Sequence, residues 1–437
     1  MTSVWTAYSE RTGEPSKVLD RALTTDVLVI GGGMAGVLTA FLLTQAGRDC
    51  VLLEGRRVGS GTTQGTTAKV TAQHGLIYDR LLKERGEDVA RRYFVANQNA
   101  VEGFRCLSQA VPCDFEERTA YLYAEGSTKP LEQELAAYEQ LGIPHKVLNK
   151  APLPLKNNGA LGMQQQAQFN PLKLLYGLLP FINVYEDTFV SDVKGDTAHT
   201  PQGSVTARHI VFATRYPLVN IPGLYFMKLH QERSYSLALE GALQPDGMFI
   251  GVDDGFSFRT YGEYLLVGGG GHRTGEGPGP KQGYRKIRGF TRRAYPQAVE
   301  RYAWAAQDCM SLDHVPYVGI HRREDPNWYV ATGFSKWGMT GSLVAAELLA
   351  DLIVEGGSDA ADVFSPQRSM LHASLASNLG TSTVNLVKPG KRCSHMGCTL
   401  AHNNLEDTWD CPCHGSRFSS EGAVVEGPAT KGIDVGK

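Results

Sequence analysis

The 437-residue chain has no charge excess of either sign: 43 Lys+Arg stand against 45 Asp+Glu, a formal net charge of -2. That balance excludes the basic patch or tail by which proteins hold nucleic acid. The sequence also has no internal repeat and no low-complexity tract, so solenoids and fibrous arrays are excluded. Residues 1–11 carry no basic stretch followed by an apolar one, so no secretory leader is expected and the expected compartment is the cytoplasm. One charge-free run, residues 27–47, is long enough to span a bilayer, but Gly31-Gly32-Gly33 breaks it into strand, turn and helix. No membrane span is therefore expected. What remains is a chain with 42% apolar residues, enough for large cores and for two to four domains of roughly 100–200 residues each.

The 49 glycines fall in short clusters between apolar segments. Asp26 to Ile30 reads as a buried parallel strand, and Gly31-Gly32-Gly33-Met34-Ala35-Gly36 opens a helix ended by Gly47. Cys50 to Leu53 is a second strand, closed by Glu54. A G-x-G-x-x-G turn between strand and helix, with an acid at the end of the next strand, marks a dinucleotide site. Gly31 permits the tight turn, Gly33 admits a pyrophosphate and Gly36 lets helix and strand touch. Amides at the helix start face the phosphates, and Glu54 accepts from ribose hydroxyls. The loop from Gly59 to Lys69 (Gly-Ser-Gly-Thr-Thr-Gln-Gly-Thr-Thr-Ala-Lys) can line a cofactor with hydroxyls and amides.

Amphipathic helices and short strands follow, then a strand over Val205 to Thr214. From Gly223 to Gly271 the pattern alternates: Ser234 to Leu239, Met248 to Val252, Ser257 to Tyr261 and Tyr264 to Val267 predict an antiparallel sheet. Trp328 to Thr332 is a further buried strand, followed by the Gly333-to-Gly341 turn and a helix from Ser342 to about Val354. Strand–turn–helix segments thus stand at both ends of the main body, with the β-rich part between them. At the C-terminal end, Cys393, Cys398, Cys411 and Cys413 fall within 21 residues, with His395 and His414 among them. Such clustering in an intracellular chain favours a metal or cluster over a disulfide framework.

Two resemblances follow from these residues. Residues 20–370 resemble the D-amino-acid-oxidase-like FAD-dependent oxidoreductases of the glycine and sarcosine oxidase type, nearest the γ-glutamylputrescine oxidoreductase branch. The likeness rests on Asp26 to Gly36, Glu54, Gly59 to Lys69, Asp313-His314-Val315-Pro316-Tyr317-Val318-Gly319 and Ala331 to Thr340. It implies FAD, an α/β plus β fold in which a Rossmann-like domain interleaves with an antiparallel-sheet substrate domain, and a small amine or amino acid as substrate. FAD contacts are then expected from Gly31, Gly33, Met34, Ala35, Gly36, Glu54, Arg57, Gly61, Thr62, Thr63, Thr67, Val190, Thr214, Gly333, Gly338, Met339 and Thr340. The last stretch resembles a Rieske domain: Cys393-x-His395, fifteen residues, then Cys411-Pro-Cys-His414-Gly-Ser. A Rieske [2Fe–2S] cluster takes two thiolates on one iron and two imidazoles on the other, here Cys393, Cys411, His395 and His414. A tetrahedral zinc site could use the same four ligands. The resemblance further implies a disulfide between Cys398 and Cys413 and a Ser416 hydrogen bond to a bridging sulfide. Phe418 stands where high-potential members often carry Tyr, which removes one donor and lowers the potential. About ten residues separate Val384 from the first ligand, so much of the supporting sheet is missing and the subdomain is expected either to lean on the body or to hold its cluster poorly.

The expected layout is an oxidoreductase over 1–375, with FAD segments near 24–75, 186–222 and 308–356 and a substrate domain near 76–185 and 223–307. A linker at 376–383 and a truncated Rieske domain at 384–437 complete it. Candidate substrate anchors are Arg233, Arg259 and Arg273, and candidate walls are Tyr235, Tyr261 and Trp337; Lys336 and His74 flank expected flavin loops, and His272, beside the Gly268-to-Gly271 run, is equally readable as a turn residue. Of these, Lys336, Tyr261, Arg233 and Trp337 are the expected catalytic set. Cys309 is considered for covalent flavin attachment, though its spacing to Asp313 does not match the cysteinyl-flavin pattern. The expected activity oxidises a C–N bond and passes electrons through the cluster to an external one-electron acceptor. The alternative is an amine oxidase that reduces O₂ directly, its cluster structural or redox-sensing.

Overall fold

A computed structural model of the chain describes residues 2–11, 17–277 and 279–435. Strand β1 (Ala22–Ile30) is wholly buried at Val27, Leu28 and Val29, on both of its faces, as a central parallel strand must be. It feeds helix α1 (Met34–Gln45), and β2 (Cys50–Leu53) returns parallel to β1. Strand β3 (Asn183–Tyr185) extends the sheet beside β2, and β4 (Ser204–Phe212) lies parallel to β1 on its other side. The chain then leaves for a second, nine-stranded sheet that includes β5 (Leu229–Glu240), β6 (Tyr264–Arg273) and β7 (Val299–Ser311). These three pair antiparallel, with β5 in the middle. It comes back with β8 (Tyr317–Arg322) and β9 (Asp325–Thr332), giving the first sheet the order β8–β9–β4–β1–β2–β3. Helix α2 (Gly338–Val354) packs on α1.

Three expectations change. Asn183–Tyr185, read into the substrate domain, pairs with β2 in the parallel sheet. Lys69–Val70, read into the nucleotide part, joins the nine-stranded sheet. Residues 376–383, expected as a linker, lie inside helix α3 (Ala373–Val387). Asn378 holds this helix down: its Oδ1 accepts from Arg273 at 3.0 Å and its Nδ2 donates to the Met227 carbonyl at 3.2 Å.

The C-terminal part is a four-stranded antiparallel meander of three-residue strands: β10 (Ala401–Asn403), β11 (Thr408–Asp410), β12 (Arg417–Ser419) and β13 (Val424–Glu426). Its core consists of Cys393, Cys398, Leu400, Cys411, Cys413, Phe418 and Ala429. Among the described residues no helix is long and apolar enough to cross a membrane.

Candidate functional site

The glycine turn at the end of β1 opens a cleft of about 700 Å³. Gly31 sits at φ +113°, and a Cβ there would fall 2.6 Å from the Ala213 carbonyl oxygen at the end of β4. At Gly36 a Cβ would fall 1.9 Å from the Gly31 carbonyl oxygen, so only glycine lets α1 approach β1 this closely. Glu54 Oε2 accepts from the Gly32 amide at 2.7 Å and Oε1 from the Arg56 amide at 2.8 Å. Burial raises this carboxyl above its ordinary range, against the pull of those amides and Arg56. The Thr63 hydroxyl accepts from the Met34 amide at 3.2 Å in the first turn of α1.

Gly31, Gly33, Met34, Ala35, Glu54, Gly61, Thr62, Thr63, Val190, Thr214, Gly338 and Met339 all line the cleft. Helix α2 begins at Gly338, not at Ser342 as the pattern suggested, which puts its N-terminal residues on the cleft wall. Five expected contacts are absent from the wall: Gly36, which packs against the Gly31 backbone, and four more. Arg57 pairs with Glu186 and Asp187, and Arg56 lines the cleft in its place. Thr67 turns toward Lys69, and Thr66 lines the cleft instead. Gly333 forms a turn at φ +70° against Ser311, Leu229 and Tyr317. The Thr340 hydroxyl is buried on the Thr71 carbonyl and His74.

The expected catalytic set is scattered. Lys336 lines the cleft and pairs with Glu232 at 2.7 Å; burial alone would lower its ammonium, but Glu232 and Asp308 hold it above the ordinary value. Trp337 stacks on His74 with ring centroids 4.7 Å apart. His74 accordingly serves the flavin loop as a packed, neutral ring, burial pushing it down to about 3. Tyr261 donates to Asp114 at 2.8 Å and accepts from Asn170 at 2.9 Å, away from the cleft lining. Arg233 is locked to Glu406 of the C-terminal domain at 2.5 Å. Arg259 is spent on the carbonyls of Thr67, Ala68 and Phe169. Arg273 donates to the carbonyls of Pro412 and Cys413, and Tyr235 meets His272 at 2.8 Å. Cys309 does line the cleft, burial pushing its thiol up to about 11.

Sequence reasoning missed Arg215, Tyr216, Asp308 and residues 423–430 of the C-terminal domain, all of which line the same cleft. No local signal marks them, because each reaches the cleft through long-range packing. Arg215 and Glu426 form an ion pair of 2.8 Å across the domain boundary.

The C-terminal domain brings Cys393, His395, Cys411 and His414 together in two loops. The imidazole centroids stand 4.9 Å apart. His395 Nδ1 is buried without a protein partner, as a ligand atom would be, and the buried His414 ring meets only the Phe226 backbone. Burial pushes His395 down to about 3 and His414 down to about 4, the neutral forms that metal ligation requires. Cys398 and Cys413, paired by the resemblance, are free thiols; their sulfurs and that of Cys411 lie within 4.8 Å of one another. Ser416 Oγ accepts from the Ala429 amide at 3.0 Å. Phe418 is fully buried in the small core, so its ring supplies packing and no hydrogen bond.

A flavoprotein oxidoreductase with a fused iron–sulfur domain is the class this fold and these two sites define. The chain belongs to the FAD dependent oxidoreductase family, which it matches over residues 26–352, and it carries a Rieske [2Fe-2S] domain over residues 384–435. Its cofactors are FAD and a [2Fe–2S] cluster, which sets the zinc alternative aside. It is 34% identical to the Rieske 2Fe-2S iron-sulfur protein YhfW of Bacillus subtilis (strain 168), over 93% of this chain and 92% of that one. It is 24% identical to the gamma-glutamylputrescine oxidoreductase of Escherichia coli (strain K12), over 83% of this chain and 91% of that one. Among solved structures, a glycine oxidase from Geobacillus kaustophilus shares the fold at a TM-score of 0.66 and 18% identity, covering 80% of this chain and all of that one.

Proposed function

We propose that this chain oxidises the C–N bond of a small amine and passes the electrons, one at a time, through its own cluster to an external one-electron acceptor. FAD supplies the two-electron acceptor for the substrate, and the cluster the one-electron carrier. The residues of the cleft hold the flavin nucleotide: Gly31 to Ala35 give it a glycine cradle and a helix N-terminus, and Glu54 offers carboxylate oxygens to its ribose. The α2 N-terminus at Gly338 and Met339 favours negative charge beside it. Cys393, His395, Cys411 and His414 hold the cluster.

The observation that carries the electron route is the place of Tyr216. Its ring lies 6.3 Å from that of His395 and 6.4 Å from that of His414, while Tyr216 itself lines the cleft. One buried side chain thus stands between the cleft wall and both imidazoles, which supports a route between the two sites. A fused second centre also replaces a bimolecular encounter with a tethered one.

Substrate charge is read from what the arginines do. Arg215, Arg233, Arg259 and Arg273 are each engaged by carboxylates or carbonyls, so none of these is left to anchor a substrate carboxylate. Asp308, half-buried in the cleft wall, accepts from Ser234 Oγ at 3.3 Å and already faces the Lys336 ammonium, while burial raises its carboxyl above the ordinary range. An amine without a carboxylate is therefore favoured over an amino acid. The thiols Cys50, Cys106, Cys113 and Cys309 suit a reducing, cytoplasmic setting.

The test is anaerobic titration of the holoprotein with a panel of amines and amino acids, recording flavin bleaching and the reduced-cluster signal in the same sample. Bleaching by amines followed by the cluster signal is expected. Bleaching with a cluster that stays oxidised would favour direct reduction of O₂.

A further inference from the structure

We infer that Asn220, a residue of the flavoprotein body, is an outer partner of the iron–sulfur cluster: it fixes His395 as an Nδ1 ligand, so that the cluster site is shared between the two domains. The inference rests on the ligand assignment above. Asn220 Oδ1 lies 2.8 Å from His395 Nε2. The orientation of the Asn220 amide is set by its own loop, because Nδ2 donates to the carbonyls of Pro217 at 3.3 Å and Leu218 at 3.4 Å. Oδ1 must then accept, and His395 Nε2 must carry the proton. The lone pair is left on Nδ1, the nitrogen buried without a protein partner. Asn220 is itself buried.

His414 has no such side-chain acceptor: the contact its ring makes with the body is to the Phe226 backbone. The two imidazoles are thus held differently, one of them through the loop that runs from Tyr216 on the cleft wall to Asn220. Four other hydrogen bonds from the body grip the second ligand loop by its backbone: Gln231 to the His414 carbonyl (2.8 Å), Gln307 to the Gly415 carbonyl (2.8 Å), and Arg273 to those of Pro412 (2.9 Å) and Cys413 (3.0 Å). These five contacts take the place of the strands that the shortened domain lacks. An acceptor on the far nitrogen of a ligating imidazole raises its basicity, which stabilises the oxidised cluster and lowers its potential.

The experiment compares the wild-type holoprotein with Asn220→Ala and Asn220→Asp, measuring iron and acid-labile sulfide per flavin, the EPR signal of the dithionite-reduced cluster, and its midpoint potential. Asn220→Ala is expected to weaken cluster retention by about 10–100-fold, to move the g values and to raise the potential. Asn220→Asp keeps an acceptor, restores retention and lowers the potential below wild type. The expected order, Asp below Asn below Ala, is not one that a loss of packing produces, and it can be read on whatever fraction of each variant is loaded. Identical spectra and potentials in all three proteins overturn the inference alone. A wild-type protein with no Rieske signal overturns the ligand assignment and the inference with it.

Discussion

The flavoprotein body and the C-terminal domain solve the same problem with opposite means. The body buries continuous apolar strands such as Val27 to Val29 and Val211 to Phe212 in clusters that extend through both sheets. Among its described residues the C-terminal domain has a core of seven buried apolar residues, and four of them are cysteines. A domain of about 50 residues that buries so little must draw stability from its metal centre and from its neighbours. It does so with charge. Arg417, nearly buried, holds Asp410 at 3.0 Å, Glu406 at 2.6 Å and Glu426 at 3.2 Å. Two of those acids reach across to the body, Glu406 to Arg233 and Glu426 to Arg215. The body folds around its cofactor site, whereas the iron–sulfur domain is completed by the body.

That contrast breaks most easily at Arg417. Removing it leaves Asp410 without a cation and takes one of two from Glu406 and Glu426, so Arg417→Met is expected to destabilise the C-terminal domain by about 3–5 kcal/mol. Hydrogen exchange should rise over residues 393–426 and leave β1 to β4 protected; equal loss in both regions would mean that the two fold as one unit. In the body, Glu54→Gln keeps the fold but is expected to weaken FAD by about 1–3 kcal/mol, read by flavin release on dilution. Unchanged affinity removes Glu54 from the cofactor site.

The smallest effect sharpens the boundary by pH. Burial alone would raise the Glu426 carboxyl, but Arg215, Arg417 and Arg233 reverse this and hold it down at about 2. A carboxyl so depressed contributes stability that is complete above the ordinary glutamate value of about 4.3 and fades as pH falls toward about 2. The loss is partial because Arg417 keeps Asp410 and Glu406. Acid should therefore loosen residues 423–430 from the cleft, measured as faster flavin quenching by an added solute, and Glu426→Gln should abolish the pH dependence.

Legibility in the sequence followed range. The glycine turn, Glu54 and the Cys/His loops could be read because each is a local pattern whose chemistry is complete within a few residues. Two of the displaced cofactor contacts are local errors of one residue: Arg57 faces Glu186 and Arg56 the cleft, and Thr67 faces Lys69 and Thr66 the cleft. Arg233, Arg259 and Arg273 looked like substrate anchors because a sequence does not show what a guanidinium will meet. Their partners lie 173, 191 and 139 residues away. Residues 376–383 looked like a linker because their serines, threonines and glycine are weak helix formers; tertiary bonds from Asn378 outweigh that preference.

The central claim, that electrons leave the flavin through the cluster of the same chain, is tested most directly by Cys411→Ala with an artificial one-electron acceptor. The account predicts that this variant keeps anaerobic flavin reduction by the amine at the wild-type rate and loses most acceptor turnover. Wild-type turnover with the acceptor in a variant shown to lack the cluster would contradict it.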